Sequence, residues 1–121
     1  MSPKVKAAMA AVTTFTTIAK ADAKIKSKVK KNSKQRYWAA TILKISGYTY
    51  VLISSAITYT AAKIRVSKGS SVFAVTKSEA RKLANNFPPV VGPEIGLKSI
   101  GQYNHYHVNG RKSKSHIFYM F

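Results

Sequence analysis

Apolar and polar positions in this chain repeat mostly over short runs, a spacing that predicts strands more often than long helices. Residues 37–43 and 48–54 predict two strands, the second through Tyr48-Thr49-Tyr50-Val51-Leu52-Ile53, with a turn at 44–47. A helix is expected from about Ala61 to Ser67, capped by Thr58 or Thr60 and ended at Gly69. Ser71 to Val75 predicts another strand. Thr76-Lys77-Ser78-Glu79 has the spacing of a capping box, and Ala80, Leu83 and Ala84 form the apolar stripe of the helix that follows it. That helix should stop at Asn85-Asn86, ahead of Phe87-Pro88-Pro89. Pro88 to Gly101 carries three prolines and three glycines and predicts a crossing loop that holds Glu94. Residues 103–108 and 116–121 then predict a hairpin closed by Asn109-Gly110-Arg111-Lys112-Ser113-Lys114-Ser115, whose Asn-Gly start suits positive φ.

The expected fold is therefore α+β: a small antiparallel sheet with a C-terminal β-hairpin and two helices. Residues 1–35 differ in composition. They hold an apolar patch from Ala7 to Ala19, interrupted by threonines 13, 14, 16 and 17, and then lysines at 20, 24, 26, 28, 30, 31 and 34. Lys4 and Lys6 precede the patch as in a secretory signal, but the threonines and the lysine tract fit a basic, flexible or loosely helical arm better. The folded domain, residues 36–121, is expected to begin at Arg36-Tyr37-Trp38, where large aromatics first appear. The 18 residues from Ile45 to Ala62 carry no charge, but they are rich in Ser, Thr and Tyr. They predict a strand leading into a helix more than a membrane span.

Charge narrows the partners. With 21 Lys and Arg against Asp22, Glu79 and Glu94, the net charge is +18, a self-repulsion that a polyanion would relieve. The absence of cysteine excludes disulfides, thiolate metal sites and cysteine nucleophiles. No Gly-rich phosphate loop, Ser-centred elbow or carboxylate pair occurs, so most enzyme classes drop out.

What remains is imidazole chemistry near the end of the chain. His105 and His107 must share one face of their strand. His116 joins them if the paired residue numbers of the hairpin sum to an odd value, and lies behind the sheet if they sum to an even one. Histidines so gathered, with cations near, suit metal-independent cleavage of RNA: one imidazole takes the 2′-hydroxyl proton and another protonates the leaving 5′-oxygen. His107 and His116 are the expected acid–base pair, with His105 positioning phosphate or assisting the base. Arg111, Lys112 and Lys114 would contact phosphates, and tyrosines such as Tyr103, Tyr106 and Tyr119 would stack on bases. Tyr119 would also donate to a phosphate oxygen or orient an imidazole. The same histidines match an open zinc site, but the sequence offers no evident acidic group to support one. No cofactor is expected. A half-buried structural role for the histidines and an ordinary solvated turn at 111–114 are the bland counterparts. A non-catalytic, ribosomal-like RNA-binding protein and a membrane-active cationic bacteriocin acting through residues 1–62 are the other classes to be weighed.

Several segments resemble the C-terminal nuclease domains of bacterial polymorphic toxins. They are Arg36-Tyr37-Trp38-Ala39, Ala62-Lys63-Ile64-Arg65-Val66, Gly69-Ser70-Ser71-Val72-Phe73, Ala80-Arg81-Lys82-Leu83-Ala84 and, more strongly, the tail. In the tail, Gly92-Pro93-Glu94, Tyr103-Asn104-His105-Tyr106-His107, Gly110-Arg111 and Ser115-His116-Ile117-Phe118-Tyr119 are similar to that group's terminal signature. The resemblance implies an antibacterial ribonuclease, secreted or delivered into the target-cell cytoplasm and neutralised by an immunity protein, which the charge predicts to be acidic. It carries His105, His107, His116 and Tyr119 over as active-site residues, with Glu94 beside them. A monomer, with transient membrane contact through the arm, is expected. The chain departs from the pattern at Ile95-Gly96-Leu97, where a histidine is expected after the glutamate.

Overall fold

The computed structural model describes residues 19–45, 48–96 and 102–121. In chain order the elements are helix α1 (residues 19–28), strands β1 (Tyr37–Ile45) and β2 (Tyr48–Ile57), helix α2 (Tyr59–Ser67), β3 (Ser71–Ala74), α3 (Lys77–Ala84), β4 (Val91–Glu94), β5 (Asn104–His107), a 3-10 turn at Asn109–Arg111 and β6 (His116–Tyr119). The six strands form one sheet in the order β2-β1-β3-β6-β5-β4, and only the β3–β6 pair is parallel. This is an α+β fold. The uncharged run from 45 to 62 supplies β2 and the start of α2, and no helix among the described residues is long and apolar enough to cross a membrane.

Strand alternation divides the core in two. On one face Tyr37, Val72, Ala74, Tyr106, Ile117 and Tyr119 pack against Ala62 and Val66 of α2 and Ala80, Leu83 and Ala84 of α3. On the other, Trp38, Ala40, Val51, Phe73, Tyr103 and Phe118 pack against Ile25 and Val29. Every residue of β3 is buried, as a central strand covered on both sides requires. The caps follow from the sequence. Thr58 accepts from the Ala61 amide at 3.1 Å, and Thr76 accepts from the Glu79 amide at 3.2 Å. Glu79 does more than cap. Its carboxylate takes a forked pair of hydrogen bonds from Arg36 at 2.8 and 2.6 Å, which fastens the entry of β1 to the start of α3 and holds its carboxyl below the usual carboxylate range.

The expected architecture needs three corrections. Residues 1–35, expected as a flexible or loosely helical arm outside the folded domain, are helical over 19–28 and packed on it, because Ala21, Ile25 and Val29 are buried and the Asp22 carboxylate accepts a hydrogen bond from Tyr103. The folded unit thus includes α1, a third helix beside the two expected; residues 1–18 lie outside the described residues. The crossing loop contains an edge strand, β4, that pairs with β5 through Val91↔His107 and Glu94↔His105. Gly92 and Pro93 are tolerated there because the strand is at the edge and irregular between those pairs. Gly92 has φ 109°, and a Cβ on it would meet the Glu94 amide at 2.9 Å. The turn predicted at 44–47 and the end of the crossing loop fall partly outside the described residues.

Candidate functional site on the sheet face

The β5–β6 register is His107↔His116, His105↔Phe118 and Asn104↔Tyr119. These are odd sums, so His105, His107 and His116 project from the same face. The hairpin holds this register through an abrupt connection in which Asn109, Gly110 and Arg111 all take positive φ, at 52°, 58° and 71°. The ring centroids of His107 and His116 are 4.5 Å apart, those of His105 and His107 5.0 Å, and those of His105 and His116 5.1 Å. Phe118 lies beneath them, its ring 5.7 Å from His116 and within 8° of parallel.

β4 adds a carboxylate. Glu94, opposite His105, brings Oε2 to 3.2 Å from His105 Nε2 and 3.1 Å from His107 Nε2. Its Oε1 pairs with the Arg111 guanidinium. An imidazole trio, a carboxylate and a guanidinium therefore meet at one place.

The hydrogen bonds distinguish the rings. His116 Nδ1 lies 3.0 Å from the Lys114 carbonyl, so Nδ1 carries the hydrogen and the neutral ring keeps its Nε2 lone pair. Burial first, then the neighbouring His107 and His105, push His116 down to about 4. His107 is 8% exposed, and burial and the charge of His105 lower it as well. His105 has an acceptor at each nitrogen, the Tyr103 carbonyl 2.9 Å from Nδ1 and Glu94 at Nε2.

Access separates them further. A cavity of 260 Å³ is lined by His105 and His116 together with Phe118, Tyr103 and Lys44. A wider groove of 690 Å³ is lined by His116, Lys44, Lys114 and Arg65. His116 and Lys44 belong to both, whereas His107 lines neither. Of the three imidazoles, His105 and His116 line the cavity, while His107 of the expected acid–base pair lines neither of these two openings.

Not every expected residue is here. Tyr119 is 4% exposed on the opposite face, 5.8 Å from the Tyr106 ring and raised above the usual phenol value by burial, so it cannot touch a substrate held by the histidines. Tyr103 shares the histidine face but is buried, and its hydroxyl is spent on Asp22; it shapes a wall and offers no open ring for stacking. Tyr106, also buried, faces the helices. Lys114 stands beside His116, while Lys112 lines another groove with Lys68 and Asn109. Arg65 is tied to the Ser71 and Ala40 carbonyls at 3.1 and 2.9 Å, a structural duty. Lys44 and Phe118 were missed. Phe118 follows from alternation with His116, whereas Lys44 arrives across the sheet from β1, and nothing in the sequence joins it to the tail.

One atom from each imidazole lies within 4.8 Å of the others, close enough to hold a metal ion. The expectation that no acidic group would support such a site is corrected by Glu94, which contacts two of the rings. Comparisons with known proteins returned nothing: no family model, no curated protein and no solved structure matches the chain.

Proposed function

We propose that this protein is a metal-independent endoribonuclease that acts as an antibacterial toxin. The observation that carries the reading is the convergence of His105, His107, His116, Glu94 and Arg111 on one face, with two of the imidazoles, His105 and His116, lining the cavity. In this scheme His116 Nε2 takes the proton of a ribose 2′-hydroxyl and the freed oxygen attacks phosphorus. The bond from phosphorus to the 5′-oxygen breaks as His105 gives that oxygen a proton, leaving a 2′,3′-cyclic phosphate and a 5′-hydroxyl. Glu94 complements the charge change on His105 and holds His107 in place. His107 positions its neighbours. Arg111 and Lys114 offset the added charge on the phosphate oxygens. Delivery into a target-cell cytoplasm and neutralisation by an acidic immunity protein belong to the same proposal; the net charge of +18 and the tail signature support them.

Zinc is the second reading, favoured by the three ligand atoms within 4.8 Å and by the neutral state that burial imposes on His116. One experiment separates the two. Purified protein is incubated with total bacterial RNA, with and without EDTA, beside His105→Ala and His116→Ala. Cleavage that persists in EDTA and is lost in both variants is the expected outcome. Cleavage abolished by EDTA favours zinc, and RNA bound but left intact favours a non-catalytic binder.

A further inference from the structure

Two openings meet at His116 and differ in chemistry. The 260 Å³ cavity is walled mainly by Ile42, Val51, Ile95, Tyr103 and Phe118, with Lys44, Gln102, His105 and His116 as its polar lining. The adjoining groove is walled by Lys44, Lys114 and the Ser70-Ser71 corner. The cavity volume lies below the roughly 300–1,000 Å³ of pockets that bury drug-sized ligands, which suits a single flat heterocycle. Its aromatic wall, Phe118, runs parallel to the His116 ring within 8°, so the wall and the base share one orientation.

We infer that the apolar cavity takes one unpaired nucleobase, the neighbour of the scissile phosphate, while the sugar–phosphate chain leaves along the Lys44–Lys114 groove. The inference rests on the ribonuclease reading and adds its substrate class: single-stranded RNA. A base enters such a cavity only when it is free of its partner and its stacked neighbours, so a duplex is refused. Apolar walls on three strands bury the faces of the base, and the Gln102 amide, able to donate and accept, meets its edge. The lysines lie where the next phosphates pass. Ile95, 78% exposed just beyond β4's end, also lines the cavity.

The test is an abasic scan. A short single-stranded RNA is made with one ribose lacking its base, placed in turn on each side of the cut bond, so that every phosphate and 2′-hydroxyl is kept. Cleavage is expected to slow by on the order of tenfold to a hundredfold for one placement and little for the other. The complementary duplex is expected to resist cleavage. A doubly substituted protein, Ile95→Ala with Gln102→Ala, should bring the ratio of intact to abasic rates towards one. In parallel, anisotropy follows binding of the uncleavable 2′-deoxy strand with the same scan. If RNA is cut while neither assay depends on the base, or if duplex is cut as fast as single strand, the cavity assignment falls and the ribonuclease reading stands. If nothing is cut yet binding depends on the base, the chemistry falls and the cavity stands.

Discussion

At the scale of the residue, the proposed ribonuclease scheme asks which imidazole would work as the base at neutral pH. His116 meets both requirements: a lone pair at Nε2, fixed by the Nδ1 contact with the Lys114 carbonyl, and an affinity for protons reduced to about 4. A base works only when unprotonated. The reaction rate should therefore rise with pH through about 4 and be level by about pH 6, where a base at the ordinary 6.5 would still be partly silenced. Lys44 is among the charges that depress His116. Lys44→Ala should move this acidic limb to higher pH, and a kcat/KM profile between about pH 3 and 8 reads the shift directly. His116→Ala should cost roughly a hundredfold to ten-thousandfold in kcat/KM, and a variant limb unchanged in position would remove His116 from the role of base.

Elements decide how those residues are held, and α1 is the least expected of them. Its buried positions Ala21 and Ile25, with Val29 just past its end, are spaced four apart, so the helical stripe is present in the sequence, but the lysines around it dominate its composition. Tyr103 at the foot of β5 donates to Asp22 of α1, so the helix is joined to the strand that carries His105 and His107. Ile25→Ala should destabilise the fold by about 2–5 kcal/mol in denaturant titration, whereas a solvated arm would leave stability unchanged. The hairpin was far more legible. Strand alternation and an Asn-Gly turn yielded its position and reduced the histidine arrangement to a choice of register, which only pairing with β6's neighbours could decide. Strand β4 was illegible for the opposite reason: Val91-Gly92-Pro93-Glu94 has poor strand propensity, and its pairing with β5 overrides that preference. That override is what moves Glu94 from a loop into the site.

For the whole molecule, all three side-chain carboxylates are already engaged: Asp22 with Lys26 at 2.8 Å, Glu79 with Arg36, and Glu94 with Arg111 and the histidines. The excess of +18 has no internal counterweight, so it acts outward, on whatever polyanion approaches the groove beside His116. Binding of single-stranded RNA should then weaken steeply with salt, since each phosphate neutralised releases counterions and contributes a slope of about −0.7 in log K against log salt. Lys44 and Lys114 line the groove, so Lys44→Gln and Lys114→Gln should each flatten that slope by about 0.7, while Lys63→Gln, on α2 over the Tyr59 ring, should leave it nearly unchanged. Anisotropy titrations of an uncleavable 2′-deoxy strand between about 50 and 200 mM salt measure the slopes. Equal flattening by all three substitutions would mean that the charge acts as a diffuse cloud, and that RNA follows no particular path across the sheet.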